Sequence, residues 1–332
     1  MSDVRFEQLK SWLNTALEQP INNITVASAD ASFRRYFRVF TAQQTWIAMD
    51  APPEKEDCKP FIQVAEAFIQ LGVNVPKIYA QDLDQGFLLL TDFGSTCYLD
   101  VLNESNADQL YGDAMQALID LQTQASPQQV VLPPYDEKLL NQEMLLFSDW
   151  FLPKHVKIKL SEAEASELKA VSQYLITNAL EQDSVWVHRD YHSRNLMQTT
   201  DKNPGVIDFQ DAVAGPITYD LVSLLRDCYI AWPAEKIEYW VNAYLEKLQK
   251  QGKCTSVSAS TFKQWFDLMG VQRHLKAIGI FARLNYRDGK SGYLNDIPRT
   301  LNYVKEVSGQ YAELTPLHEL ITKRVLPAMN EL

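Results

Sequence analysis

Three polar residues, Asp190, Asn195 and Asp208, have the types and spacing to do chemistry together. Asp190 and Asn195 lie five positions apart in HRDYHSRN, directly after the apolar run VWV, and Asp208 falls inside a second apolar run, VIDF. An ionised carboxylate can orient a hydroxyl and accept its proton. An amide oxygen and a second carboxylate in rigid positions are hard ligands of the kind Mg2+ takes, with phosphate oxygens and water completing the octahedron. Phosphoryl transfer needs these parts, because it asks a protein for position and charge rather than covalent work. Asp190 is therefore the candidate base, and Asn195 and Asp208 are the candidate metal ligands. Asp211, three residues further on, could serve a second metal or the substrate. His188 and His192 form an i, i+4 pair, but the Glu of a His-Glu-x-x-His site is absent, which argues against zinc.

The elements that must hold these residues are of two kinds. VWV and VIDF read as short buried strands set among helices. The helical periodicity runs through NADQLYGDAMQALIDLQTQ, LSEAEASELKAVSQYLITNALEQ, YDLVSLLRDCYIAW, AEKIEYWVNAYLEKLQKQ and the stretch from Trp265 to Leu284. Ahead of residue 95 the pattern differs. After an N-terminal helix come three short strands split by polar turns, then KPFIQVAEAFIQLG, which places Phe61, Val64, Ala65, Phe68 and Leu71 on one helical face with Gly72 as its cap. Two further strands flank the turn DLDQG. The order predicts an α+β chain with a small lobe over residues 1–94 and a larger helical lobe over 95–332.

Composition narrows the function classes. The 332 residues carry a formal net charge of −11, which excludes broad electrostatic attraction to nucleic acid or anionic lipid. The four cysteines are scattered without a Cys-x-x-Cys pair, so neither a disulfide framework nor a structural zinc site is indicated. No run reaches the apolar length of a membrane span, and the N-terminus lacks a signal peptide's apolar core. The expectation is a cytoplasmic protein with a small-molecule substrate and no nucleic acid, membrane or obligate protein partner. GKS at Gly289 to Ser291 mimics the end of a phosphate-binding loop, but Leu284 occupies the required glycine position.

The pair of motifs, His188/Asp190/Asn195 and Ile207/Asp208/Asp211, resembles the catalytic centre of the aminoglycoside phosphotransferase and choline kinase family. The resemblance implies a bilobal protein-kinase-like fold, with a small mixed β-sheet lobe and a larger helical lobe, acting with ATP and Mg2+. It further implies that His188 holds the loop, that His192 stands near the transferred phosphate, and that Asp220 braces the catalytic loop. The segment Leu88 to Phe93 would form the hinge that meets the nucleotide, with Leu90 and Asp92 as contacts. ASFRRYFRV, MDAPPEKEDCKPF, LLLTDFG, DWFLP and GIFARLNYRDGKSGYLNDIPRTLNYV together look like one subgroup, the bacterial anomeric amino-sugar kinases of cell-wall peptidoglycan recycling. An N-acetylmuramate or N-acetylglucosamine acceptor follows from that likeness.

The chain also departs from the kinase pattern. The loop SADASFRRYF has no glycine, and Met49 stands where the third strand would carry a lysine. Ser32, Arg34 and Arg35 are the candidate nucleotide contacts: with Arg38 nearby, the arginines either replace the lysine by holding phosphate or are solvated strand charges. Glu66, deprived of its usual lysine, would pair with one of them. Arg283 and Arg287, with Asn285 and Lys290, are either a polar substrate cluster or a charged helix end. Two other readings stay open: a kinase for a cation such as choline, bound among Trp232, Glu235, Glu238, Tyr239 and Trp240, or an inactive nucleotide-binding module.

Overall fold

A computed structural model describes residues 3–29, 33–125 and 130–331. Helix α1 (Val4–Ala16) starts at Asp3, whose carboxylate caps it by accepting the Phe6 N–H at 3.1 Å. Then follow β1 (Ile21–Ala29), β2 (Arg35–Thr41), β3 (Thr45–Asp50), α2 (Lys59–Gln70), β4 (Ile78–Asp82) and β5 (Phe87–Thr91). The predicted order of three strands, one helix and two strands is what forms. The sheet runs β1-β2-β3-β5-β4, and every pairing is antiparallel. Alternation puts Phe37, Val39, Ala48, Phe87 and Leu89 on one face, where they pack with Leu9 and Leu13 of α1. Phe61, Val64, Ala65 and Phe68 of α2 are buried, the face its periodicity marked.

Helices α3 (Tyr98–Val101), α4 (Ala107–Gln124) and α5 (Glu137–Leu146) come next, and α5 continues into a π-helical segment, Phe147–His155. After α6 (Glu162–Glu181) the chain makes four short strands, β6 (Ser184–Val187), β7 (Leu196–Met197), β8 (Gly205–Val206) and β9 (Val213–Pro216). β6 pairs with β9, and β7 pairs with β8. The rest is helical: α7 (Tyr219–Leu225), α8 (Ala234–Lys250), α9 (Ala259–Asp288), α10 (Ile297–Ser308), α11 (Thr315–Leu320) and α12 (Leu326–Met329). The 30-residue α9 is the centre of this part, touching α5, the π-helical segment, α6, α7 and α10. Gly279 lets it lie against the end of α5, because a Cβ there would stand 2.4 Å from the Leu146 carbonyl carbon.

Two compact units divide the chain. One gathers Met1–Ala117 with Arg194–Asp211, so the β7–β8 hairpin belongs with the five-stranded sheet; the other contains Val131–Ser193 and Ala212–Leu332. Backbone bonds tie the hairpin into the first unit: Val206 N–H donates to the Asn74 carbonyl at 2.7 Å, and Gln198 N–H to Thr96 at 2.9 Å. No helix among the described residues is long and apolar enough to cross a membrane.

Candidate active site

The helical unit holds the candidate base. β6 is anchored by its ladder to β9, and its end delivers His188, Arg189 and Asp190 into a loop. Asp220, in the first turn of α7, accepts the His188 N–H at 2.6 Å and the Arg189 N–H at 3.0 Å. The expected brace is therefore present, made of two backbone hydrogen bonds. His188 is buried and accepts the Asp190 N–H on Nδ1 at 3.2 Å, a contact that shapes the loop. Further along, Asp227 accepts the Ser193 N–H at 2.9 Å. The His192 ring lies edge-on to Tyr229, with centroids 5.2 Å apart.

Arg189 takes a left-handed backbone, φ +76°, which a non-glycine residue adopts only when its surroundings impose it. Its backbone N–H is held by Asp220, and its side chain by Glu143 on α5. The Glu143 carboxylate accepts from Arg189 Nη2 at 2.6 Å and lies 3.0 Å from Lys276 Nζ, and it also takes the Tyr135 hydroxyl. Lys276 in turn donates to the Tyr219 hydroxyl at 2.9 Å. Burial works against charge on Glu143, yet the neighbouring cations hold its carboxyl below the usual range.

Lys276 acts on Asp190 as well. Burial of Asp190 disfavours the carboxylate, but Lys276, His192, Arg273 and His188 outweigh that, so it stays ionised below the ordinary carboxyl range. Asp220 goes the other way: burial, reinforced by the charge on Asp190, pushes it up to about 7 against the pull of its two N–H bonds. Two neighbouring carboxyls, one in the loop and one on α7, are thus driven apart. Glu143, Arg273 and Lys276 were not among the residues expected from sequence. The signal that could have found the last two is GVQRHLKAIG, a polar block in the middle of a buried helix.

The sheet unit holds the candidate metal ligands. Asn195 leads into β7 and Asp208 follows β8, and their backbones meet where Ile207 N–H donates to the Asn195 carbonyl at 3.0 Å. Asn195 Nδ2 lies 3.2 Å from Asp208 Oδ2, while Gln210 Nε2 donates to Asp208 Oδ1 at 2.8 Å. Asp208 also has a left-handed backbone, φ +65°, and the next residue, Phe209, is locked between Phe61 and Phe68 of α2 at centroid distances of 4.8 and 5.9 Å. The donor set fits magnesium: one amide and one carboxylate, oxygen ligands only, side by side on a rigid hairpin. Among the described residues no group of three or more His, Cys, Asp or Glu side chains could hold a metal alone, so phosphate oxygens and water would supply the remaining ligands. Asp211 is exposed.

The expected nucleotide contacts also fall in the sheet unit. Ser32 lies outside the described residues. Each arginine is tied to a carboxylate: Arg34 to Glu56 at 3.1 Å, Arg35 to Asp3 and to the fully buried Asp50, and Arg38 to Asp92 through two bonds of 2.7 and 3.0 Å. Met49 is buried in the sheet. Glu66 does not take an arginine: it is exposed on α2 and forms none of the ion pairs found among the described residues, since the arginines have nearer carboxylates. Leu90 is laddered on both sides, to Ile47 and Ile78, so its backbone is engaged in the sheet. The chain leaves the ladder after Thr91, and there Asp92 also caps the turn by accepting the Gly94 N–H at 2.8 Å.

Of the proposed substrate residues, Arg283 is half-buried on α9, and Arg287 is exposed and doubly bonded to its neighbour Asp288. Lys276, Arg283 and Arg287 fall on one stripe of α9, seven and four residues apart. In the group suggested for a cation, Lys236 already sits over both rings of the Trp232–Trp240 pair, at 5.3 and 5.6 Å.

Comparison with known proteins agrees with this chemistry. A family model described as the phosphotransferase enzyme family matches residues 23–253. The chain is 46% identical to the N-acetylmuramate/N-acetylglucosamine kinase of Pseudomonas putida, over 97% of each chain. It is 42% identical to the protein of the same name in Neisseria meningitidis, over 96% of this chain and 95% of that one. Among solved structures, choline kinase LicA from Streptococcus pneumoniae aligns with a TM-score of 0.61 at 14% identity, covering 91% of this chain and 99% of that chain. A gentamicin complex of an aminoglycoside phosphotransferase aligns at 0.60 and 17%, covering 89% and 95%. These two share the protein-kinase-like fold. With the base loop, its brace and the Asn195–Asp208 pair all present on that fold, the chain belongs to the phosphotransferase enzyme family.

Proposed function

We propose that this protein transfers the γ-phosphoryl group of ATP to the anomeric hydroxyl of N-acetylmuramate or N-acetylglucosamine, in the cytoplasm, as a step of peptidoglycan recycling. The observation that carries the reaction is the loop after β6, braced by Asp220 on the His188 and Arg189 N–H groups, which holds Asp190 five residues ahead of Asn195. The acceptor follows from the name shared by relatives that match this chain along nearly its whole length.

In this reading residues 1–94 bind the nucleotide and 95–332 carry the catalytic loop and the sugar. Asp190 accepts the hydroxyl proton while the sugar oxygen bonds to phosphorus and the bond to the ADP oxygen breaks. His192 contacts the transferred phosphoryl group. Asn195 and Asp208 hold Mg2+, which supplies neutralising charge on the phosphates. Arg34, Arg35 and the Leu90–Asp92 segment serve the nucleotide, while Asp211, Arg283 and Arg287 serve the acceptor. The cation reading is disfavoured because Lys236 fills the aromatic pair that choline would need.

The test is incubation of the protein with ATP, Mg2+ and each sugar, followed by phosphorus NMR. The expected product is the sugar 1-phosphate, which no longer reduces alkaline copper. A product that still reduces copper would put the phosphate on another hydroxyl and refute the anomeric assignment.

A further inference from the structure

The helical unit contains a cavity of about 740 Å³ between α8, the first turns of α9 and α10. Two groups lining it make no hydrogen bond although they are buried: Nη1 of Arg226 and the hydroxyl of Tyr303. Tyr303 is only 8% exposed. A buried donor left unsatisfied costs roughly 1–3 kcal/mol, so two lining one cavity call for a ligand with acceptor oxygens. Arg226 is also held in place. Its Nη2 donates to Asp267 Oδ1 at 2.6 Å, and its guanidinium lies over the Phe266 ring at 4.6 Å, which leaves Nη1 as the spare prong of the fork.

Three cations, Arg226, Lys263 and Arg299, and three acids, Glu238, Asp267 and Glu306, line this end, with Arg299 3.3 Å from Asp296. Asp267 is neutralised by Arg226 and Lys263 and takes the Tyr311 hydroxyl at 2.7 Å. Arg299 lines the same cavity, and the acidic lining residues Glu238 and Glu306 are exposed. Phe266 and Trp232 add apolar wall. A planar carboxylate can bridge an arginine prong and a phenol hydroxyl.

A chain of contacts runs from the cavity towards the base. Arg273, whose charge acts on Asp190, reaches Cys228 Sγ at 3.7 Å, and the Cys228 carbonyl accepts from Arg299 at 2.7 Å. Arg226 is followed in the chain by Asp227, which anchors the catalytic loop through Ser193. A pyranose with its anomeric oxygen at Asp190 would carry its C3 substituent two ring carbons from the reacting centre. In N-acetylmuramate that substituent is a lactyl ether ending in a carboxylate; N-acetylglucosamine has only a hydroxyl there.

We infer that this cavity is the acid-recognition end of the acceptor site, in which Arg226, Tyr303 and Arg299 receive the carboxylate that distinguishes N-acetylmuramate from N-acetylglucosamine. The assignment rests on the amino-sugar acceptor proposed above.

Its test uses both sugars with the full-length protein. In Tyr303→Phe, which removes one oxygen, and in Arg226→Lys, which keeps the charge beside Asp267 but loses the fork, the ratio of kcat/KM for N-acetylmuramate to that for N-acetylglucosamine should fall at least tenfold. Calorimetric titration of each sugar without ATP should show the same loss of preference in binding. A ratio that stays within twofold of wild type in both variants overturns the assignment, as does an Arg283→Gln variant that moves the ratio further than Tyr303→Phe. If neither sugar is phosphorylated by wild type, the proposed function fails. The titration then decides the cavity separately: a wild-type preference for N-acetylmuramate that Tyr303→Phe abolishes supports it, and equal binding of the two sugars refutes it.

Discussion

The base loop and the expected nucleotide contacts solve the problem of placing charge in different ways. Around Asp190 the charges are buried and shared: Glu143 serves Arg189, Lys276 and Tyr135 at once, and Asp220 holds two backbone N–H groups. Around Arg34, Arg35 and Arg38 the carboxylates come from scattered elements: Glu56 for Arg34, Asp92 for Arg38, and Asp3 with the buried Asp50, which also takes Arg5, for Arg35. A shared buried network fixes geometry, because breaking one member strands the others.

That contrast can be broken in graded steps. The largest effect on stability should come from Lys276→Met, which leaves Glu143 buried with one cation fewer. Removing one partner of a buried pair costs about 3–5 kcal/mol, read as a lower denaturation midpoint. Adding Glu143→Gln in the same chain should recover part of that loss, and a fully additive double variant would show that the two do not interact.

A smaller effect concerns pH. Asp220 has its folded pKa raised to about 7, above the ordinary carboxyl value of 3.8. Folding therefore takes up a proton there, so this contribution to stability is complete below about 4 and is lost as pH rises through about 7. Wild-type urea midpoints should fall between pH 5 and 8, and Asp220→Asn should flatten that slope. An unchanged slope in the variant would place the titration elsewhere.

The smallest effect belongs to the nucleotide half. Arg38→Gln removes the fork on Asp92 and the bond from Nη2 to the Gly94 carbonyl at 2.6 Å, loosening the segment that leaves β5. Loosening that segment should raise KM for ATP about fivefold, equivalent to about 1 kcal/mol, with kcat nearly unchanged. A loss in kcat instead would mean that Arg38 reaches the chemistry.

How much of this was legible in the sequence follows from how each feature is encoded. Asp190, Asn195 and Asp208 could be read because their spacing is local and the apolar runs around them announce strands. The strand order of the small unit was legible for the same reason: periodicity and turn residues act over a few positions. Glu143 and Lys276 were not, since they are 133 positions apart and each alone resembles a surface helix charge. The arginine cluster was visible as a cluster, but its partners Asp3, Glu56 and Asp92 come from different elements. Glu66 was assigned an arginine by analogy, and the nearer carboxylates overruled it. Placing Asn195 and Asp208 with the sheet required the bonds from Asn74 and Thr96, which no local pattern encodes.

The account rests on Asp190 as an ionised base that is distinct from the nucleotide's grip. Asp190→Asn preserves shape and removes the charge, so one preparation of this variant, measured for ATP affinity by calorimetry in Mg2+ and for turnover on N-acetylglucosamine, tests it directly. ATP affinity should stay within about threefold of wild type while kcat falls by roughly 10²–10⁴, the usual worth of a positioned acid–base group. A variant that turns over within tenfold of wild type, or that no longer binds ATP, would contradict it.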